Sequence, residues 1–319
     1  MEIGSFIELS FQQNKEFYKG NVDIARLNTG RSGIYHSVKL WNCKTVYLPV
    51  YQCETVREFL IRKKISIKYY GMDCQFNPLL NGIEEDACIV IVNYFGIMGN
   101  MRMKQLVSRF ERVVVDNSQS FYAIPIENAY NVYSARKFVG APDGAYVIGK
   151  GAERYTDEYE QGYSSDTSLF LLQRIEYGCE GATYVNRTLN EERIDREDIL
   201  KMSKLTRCIL DGYDYDDVQN KRRANFKSAA LLFDEINLLD VHYYCDDKCV
   251  PMVYPLVIED DELLQRLLKA KHFQGHWWNY ILAEMDKCCF EYWLSRYMIP
   301  ITIDQRYGIE ELKYIRSFI

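Results

Sequence analysis

Residues 112–119 read Arg-Val-Val-Val-Asp-Asn-Ser-Gln, a short apolar run that ends at a carboxylate and continues into amide and hydroxyl side chains. A run of β-branched residues without polar alternation is typical of a strand that is covered on both faces. Comparable runs lie at 45–49, 65–70, 87–92, 131–134 and 144–148, and helical spacing occurs at 54–63 and 105–110. This alternation predicts an α/β fold with a mostly parallel sheet and helices on both faces.

The composition sets the broad class of the protein. The chain has 319 residues, with 48% hydrophobic and 26% charged residues, which are ordinary values for a globular protein of about two domains. Lys and Arg number 39 against 45 Asp and Glu, and the net charge is −6. This balance argues against a nucleic-acid-binding protein, because such proteins neutralise phosphates with clustered Lys and Arg.

Three features of the sequence predict a cytoplasmic protein that does not enter a membrane. The longest apolar stretch, 87–98, is too short to span a bilayer and contains Asn93. Residues 1–10 lack the basic and apolar regions of a secretory signal. The ten cysteines of such a chain are expected to be reduced thiols.

The pattern of elements changes near Asp211. Residues 162–210 have the polar composition of helices and connections and show no strand pattern. Beyond Asp211 we expect helices over 217–236 and 260–271, a strand over 252–258 and a final helix from Ile309. The sequence therefore predicts a large α/β domain over residues 1–210 and a smaller α+β domain over residues 211–319.

Ligands of open parallel sheets bind outside the carboxyl ends of the strands. The polar residues that follow the predicted strands are Tyr51 with Gln52, Asp73, Asn93, Asp116 with Gln119, and Ser134 with Lys137. Asp116 and Lys137 would lie on neighbouring strand ends. A plain salt bridge between these two side chains is the simplest interpretation of the pair.

The segment Gly30-Arg31-Ser32-Gly33 precedes an apolar helical stretch and could present backbone N–H groups to a phosphate. A phosphate cradle, a carboxylate and a lysine are together the parts of a pyridoxal 5'-phosphate (PLP) site. The lysine amine reacts with the aldehyde of PLP, and the carboxylate holds the proton on its pyridine nitrogen. Lys137, Asp116, Ser134 and the 30–32 segment can supply these roles.

The sequence resembles fold-type I PLP enzymes, and specifically the DegT/StrS family of sugar aminotransferases. Asp116-Asn-Ser-Gln119 is similar to the family's Asp-x-Ala-Gln segment, and Lys137 with Gly144 is similar in placement to its Schiff-base lysine and following glycine. Further similar segments are Gly30-Arg31-Ser32, the stretch 46–53, Asn93-Tyr-Phe-Gly96, Arg222-Arg-Ala-Asn225, Ile299-Pro300 and Arg306-Tyr307. The resemblance extends over about residues 25–319. Cys53 stands where the family commonly has an aromatic residue that stacks on the cofactor.

The resemblance implies a PLP-dependent aminotransferase in which Lys137 and Asp116 are catalytic. It implies that PLP is bound by Gly30, Arg31, Ser32, Tyr51, Cys53, Asp116, Gln119, Ser134 and Lys137, and that Asn93 and Arg306 contact substrate. The expected donor is an amino acid such as glutamate. The expected acceptor is a keto sugar, in nucleotide-linked form, for surface polysaccharide or amino-sugar biosynthesis. A homodimer is expected by the same resemblance.

Three alternatives remain from the residues themselves. The first is a non-catalytic binding or regulatory protein of the same fold with an incomplete cofactor site. The second is a PLP lyase or decarboxylase that acts on an amino acid, since it would use the same cofactor contacts. The third is a metal site built from His242, Cys245, Cys249, His272 and His276. Their spacing matches no standard ligand pair, so we predict no metal.

Overall fold

The computed structural model of the protein describes residues 6–13, 15–20 and 23–319. Residues 1–5, on which the prediction of no secretory signal partly depends, lie outside the described residues. The strands are β1 (Ile24–Leu27), β2 (Thr45–Pro49), β3 (Ser66–Tyr70), β4 (Ala87–Val92), β5 (Val113–Asn117), β6 (Tyr130–Ser134), β7 (Ala145–Ile148), β8 (Val253–Val257) and β9 (Met298–Thr302).

The first three helices each lie between two strands, and the next four follow one another without a strand in the described part of the chain, as the polar composition of 162–210 predicts. The helices are α1 (Gly30–Leu40), α2 (Glu54–Arg62), α3 (Asn100–Val107), α4 (Leu169–Tyr177), α5 (Ala182–Arg196), α6 (Lys204–Asp211), α7 (Tyr215–Phe233), α8 (Leu263–Lys269), α9 (Ile281–Glu284), α10 (Phe290–Tyr297) and α11 (Ile309–Arg316).

The large sheet among the described residues has seven strands in the order β1-β7-β6-β5-β4-β2-β3. Strands β3, β2, β4, β5 and β6 are parallel, and β7 runs antiparallel to both of its neighbours, β6 and β1. All six residues of β4 are buried, as expected for a strand covered on both faces. The predicted fold class, a fold-type I PLP-transferase-like α/β fold, is confirmed.

The direction of the strands decides where polar side chains gather. Because β7 is antiparallel to β1 and to β6, β1 points the same way as the parallel set. The carboxyl ends of β1, β2, β4, β5 and β6 therefore meet at one edge of the sheet. The residues that follow these strands lie along that edge, and α1 begins there directly after β1.

Two strands were not predicted from the sequence. Strand β1 has only four residues, and it is a strand because it pairs antiparallel with β7. Strand β9 contains Pro300, which lies opposite Pro255 of β8 in a two-stranded antiparallel sheet. Each strand of such a sheet has an unpaired side, which accepts a residue without an N–H group. In addition, Gly30 to Gly33 form the first turn of α1 rather than preceding the helix.

The C-terminal part of the chain surrounds the β8–β9 sheet with α7, α8, α10 and α11, in the α+β pattern expected for residues 211–319. One apolar core includes residues from both sides of position 211, such as Val90 in β4 and Leu256 in β8. The division into two domains at this position stays a prediction. In the described part of the chain, no helix has the length and apolar character that crossing a bilayer requires.

Candidate active site

A cleft of about 610 Å³ lies at the carboxyl edge of the large sheet, and we call it the inner cleft. It brings together residues that are far apart in sequence. Its walls include Thr29, Gly30, Arg31, Gln52, Cys53, Asp116, Ser118, Gln119, Ser134, Arg136, Lys137 and Trp278. The structure therefore places seven of the predicted site residues around one space.

Asp116 lies near the end of β5 with its carboxylate held at both oxygens. The backbone N–H of Ser118 donates to Oδ1 at 3.0 Å, and the Nε2 of Gln52 donates to Oδ2 at 3.0 Å. Asp116 is 5% exposed and Gln52 is 4% exposed, so both groups are largely removed from water. Two hydrogen bonds fix the orientation of a carboxylate that still has lone pairs to offer to the cleft.

Lys137 follows β6 in a short 3₁₀ turn, 135–137, and its side chain is exposed to the inner cleft. Among the residues that the structure describes, its ε-amine has no hydrogen-bond or ion-pair partner. The plain salt bridge with Asp116 is therefore not formed, although both side chains line the same cleft. An amine without a partner at this position is available to react with a ligand.

The N-terminus of α1 forms the third wall of the inner cleft. The Thr29 hydroxyl accepts a hydrogen bond from the backbone N–H of Ser32 at 3.2 Å and caps the helix. A Cβ atom at Gly30 would lie 2.8 Å from Ser118 Oγ and 3.9 Å from the Cβ of Ser134. With a Cβ at this position, the Ser118 hydroxyl would have to shift, whereas the contact with Ser134 would be ordinary. Free N–H groups, a helix dipole and hydroxyls together favour an anion.

Two other residues of the predicted phosphate segment point elsewhere or are already engaged. The hydroxyl of Ser32 is buried and bonds to the Thr29 hydroxyl at 2.8 Å, so it does not line the cleft. The guanidinium of Arg31 bonds to Asp195 Oδ1 at 2.7 Å and also to the carbonyl of Ile194. Arg31 thus links α1 to α5 at the rim of the cleft.

An aromatic residue from a distant part of the chain lines the inner cleft together with Cys53. Tyr51 is fully buried behind the cleft, and burial holds its pKa well above the ordinary value. Its ring packs edge-to-face against Trp278 at 4.3 Å between centroids. Trp278 lines the inner cleft, and the sequence analysis missed it because it lies 225 residues beyond Cys53 in a segment without a motif.

Gln119 lines the inner cleft, whereas the two predicted substrate residues, Asn93 and Arg306, do not. The Oε1 of Gln119 accepts the backbone N–H of Phe95 at 2.7 Å, which leaves its amide N–H groups for the cleft. Asn93 instead donates to Asn117 Oδ1 at 3.0 Å and lines a separate cavity of about 430 Å³. Arg306 pairs with Asp304 at 2.7 Å and lines neither cavity. The structure does not bring Asn93 or Arg306 to the inner cleft, and their substrate roles stay predictions.

A wider space of about 1000 Å³ adjoins the inner cleft, and we call it the outer chamber. It shares Cys53, Gln119, Arg136, Lys137 and Trp278 with the inner cleft, and α4 and α5 add Phe170, Leu171, Arg187 and Glu191. Arg136 binds both oxygens of Glu191, at 2.7 and 2.6 Å. Burial alone would raise the pKa of the Glu191 carboxyl, but the Arg136 hydrogen bonds and charge lower it below the ordinary value.

The five residues considered for a metal site do not lie together in one cluster. The described residues contain no group of three or more His, Cys, Asp or Glu side chains that could hold a metal ion. His242 pairs with Asp234 at 2.7 Å, and His276 bonds to the carbonyl of Met298 at 3.1 Å.

No protein-family model matches the chain, and no curated protein matches it in sequence. Solved structures do match over most of its length. The sugar aminotransferase CalS13 from Micromonospora echinospora has a TM-score of 0.65 at 15% identity, over 94% of this chain and 87% of that chain. The chain has the fold of a sugar aminotransferase.

Two further solved structures, an aminotransferase and a dehydratase, have a similar fold. A DegT DnrJ EryC1 StrS aminotransferase from Brucella abortus has a TM-score of 0.60 at 10% identity, over 94% of this chain and 86% of that chain. The GDP-4-keto-6-deoxy-D-mannose-3-dehydratase of E. coli, with bound hydrated PLP, has a TM-score of 0.63 at 12% identity, over 95% and 89%. The predicted resemblance to the DegT/StrS type is confirmed at the level of the fold.

Proposed function

We propose that the protein is a PLP-dependent aminotransferase that transfers an amino group from an amino acid such as glutamate to a keto sugar. The observation that carries the proposal is the inner cleft, where an unpartnered lysine amine, a buried carboxylate and a helix N-terminus face one space. The neighbours of this fold include a sugar aminotransferase and a DegT DnrJ EryC1 StrS aminotransferase. Nucleotide linkage of the sugar and a role in surface polysaccharide or amino-sugar biosynthesis are part of the same proposal.

The residues present fit the cofactor. At Gly30 a Cβ would lie 2.8 Å from Ser118 Oγ, so the glycine allows the N-terminus of α1 and this hydroxyl to approach one phosphate together. The Ser134 hydroxyl is buried at the end of β6 beside this point and can donate to a phosphate oxygen. Asp116 can accept a hydrogen bond from a protonated pyridine nitrogen, and Lys137 can offer its amine to an aldehyde.

When bound, PLP supplies an aldehyde that captures amines and a ring that withdraws electrons from the adjacent carbon. The chain's own residues then have distinct tasks. Asp116, held by Gln52 and Ser118, keeps the ring-nitrogen proton in place. Lys137 Nζ would take up a proton from the substrate Cα and give it back later in the transfer. Trp278 covers one side of the cleft and limits the entry of water.

The same fold is found in a dehydratase, so the reaction must be tested directly. Purified protein should absorb in the near-visible range, and borohydride should leave the cofactor attached to the peptide that contains Lys137. Addition of glutamate should release 2-oxoglutarate and leave the cofactor in its amine form. A cofactor that stays bound in its aldehyde form, without release of 2-oxoglutarate, would instead support a lyase or a decarboxylase.

The variant Lys137→Ala should abolish the borohydride-stable attachment and lower transamination by several orders of magnitude, because Lys137 is the one lysine among the described residues that line the inner cleft. Lys227→Ala, an exposed lysine on α7, is the matched control and should change neither result. A protein that binds no PLP under any condition would contradict the proposal and favour a non-catalytic binding protein.

We also propose that the protein forms a homodimer through α4 and α5. Apolar side chains on these helices are more than half exposed: Leu172, Ile175, Tyr177, Tyr184, Val185 and Leu189. The same helices wall the outer chamber, so a second copy placed there would cover its open side. Ile175→Asp should produce a monomer in light scattering, and the exposed Leu231→Asp on α7 should not. A monomeric unaltered protein would contradict this proposal.

A further inference from the structure

We propose that Gln52 is a positioning residue that holds the Asp116 carboxylate against the ring nitrogen of the cofactor. This inference rests on the proposed function. The sequence placed Gln52 after a strand end but gave it no role. Its side chain lines the inner cleft and donates from Nε2 to Asp116 Oδ2 at 3.0 Å.

The direction of this hydrogen bond is fixed by chemistry. An ionised carboxylate only accepts hydrogen bonds, so the amide must present its NH₂ group, and not its oxygen, to Asp116. The other carboxylate oxygen accepts the Ser118 N–H at 3.0 Å. Rotation of the carboxylate about its bond to Cβ would break both contacts, so Gln52 and Ser118 together define its plane.

Gln52 is itself held from the opposite side. The hydroxyl of Tyr280 donates to the backbone carbonyl of Gln52 at 2.7 Å and to that of Val50 at 2.9 Å. The turn between β2 and α2 is thereby attached to the C-terminal part of the chain. A donor whose backbone is fixed in this way keeps its position before a ligand arrives, which lowers the cost of binding.

A second observation points to a ligand. The Oε1 atom of Gln52 is buried and has no hydrogen-bond partner among the described residues. A buried acceptor without a partner is costly, and such groups are normally satisfied by water or by a bound molecule. Since Gln52 lines the cleft, the occupant of the cleft or a water that accompanies it can supply the missing donor.

The experiment compares two ligands on the full-length protein after its cofactor has been removed. The ligands are PLP and its 1-deaza analogue, in which a C–H group replaces the ring nitrogen. The variants are Gln52→Met, which keeps the side-chain length, and Gln52→Leu; both remove the amide donor. Gln105→Met, on the exposed face of α3, is the matched control. Dissociation constants are measured by fluorescence titration.

The unaltered protein should prefer PLP over the analogue, and both Gln52 variants should reduce this preference about 10-fold or more, since a hydrogen bond to a charged group is lost. The control should keep the full preference. Equal weakening of both ligands would overturn the role of Gln52 and leave the proposed function intact, because a merely structural residue does not distinguish nitrogen from carbon. Failure of the unaltered protein to bind PLP would overturn both.

Discussion

Replacing Gly30 by alanine tests the anion site of the inner cleft without touching a charged group. The new Cβ would lie 2.8 Å from Ser118 Oγ, closer than real Cβ contacts, so the serine hydroxyl must rotate away. A rotated hydroxyl no longer donates into the cleft. The variant should therefore bind PLP more weakly while it keeps its fold.

The size of the effect follows from the contact that is lost. A hydrogen bond to a charged group contributes about 1.5–3 kcal/mol, which corresponds to roughly 10- to 100-fold weaker binding. A single serine rotation costs the folded protein only about 1 kcal/mol. Fluorescence titration with PLP measures the first quantity, and urea unfolding of the cofactor-free protein measures the second.

A double-variant cycle identifies the atom responsible. Ser118→Ala should weaken PLP binding about as much as Gly30→Ala, because both remove the same hydroxyl from the cleft. The double variant should then be no weaker than either single variant, since the two changes act on one contact. Gly82→Ala, where a Cβ meets nothing within 4 Å, is the control. Additive losses, or PLP binding by Gly30→Ala within twofold of the unaltered protein, would refute the reasoning.

Three further changes probe the walls of the site and the packing beneath it. Trp278→Phe should remove most of the quenching of tryptophan fluorescence on PLP binding, whereas Trp293→Phe, on α10, should not; the opposite result would place the cofactor elsewhere. Because the pKa of Glu191 is lowered, its ion pair with Arg136 stabilises the folded protein fully above the ordinary pKa of 4.5. This stabilisation is lost as the pH falls through the lowered pKa. Arg136→Met should flatten this acid dependence in urea unfolding, and an unchanged slope would contradict it. Gly33→Ala should lower the free energy of unfolding by about 1–3 kcal/mol in the same assay, since its Cβ would lie 2.7 Å from a valine methyl of β6. An unchanged free energy of unfolding would show that α1 can shift to make room.

Most of the large sheet could be predicted from the sequence because its inner strands are continuous apolar runs. Strand β4 was predicted over 87–92 and is found at Ala87–Val92. Strand β5 extends one residue further than expected, to Asn117. In contrast, β1 and β9 carry no comparable local signal, because their pairing with distant strands decides their structure.

The predicted site residues fall into two groups for the same reason. Asp116, Lys137 and Gly30 follow strand ends or begin a helix, and local sequence places such residues at the edge of a parallel sheet. Arg306 lies in a turn where it pairs with the adjacent Asp304, and no local pattern distinguishes that contact from a substrate contact. Trp278 lines the inner cleft, but it belongs to a segment without a motif, so the sequence did not predict it.

The sequence by itself determined the inner strands of the large sheet, the edge of the sheet at which the polar residues lie, and the lysine and aspartate at that edge. These features depend on local hydrophobic pattern and on the common direction of parallel strands. Only the tertiary structure decided that Gln52 fixes the Asp116 carboxylate, that Ser118 approaches Gly30, and that a tryptophan stands beside Cys53. Contacts of this kind require atoms from segments far apart in the chain to be placed to within a few tenths of an ångström. Only the packing of the core fixes positions this closely.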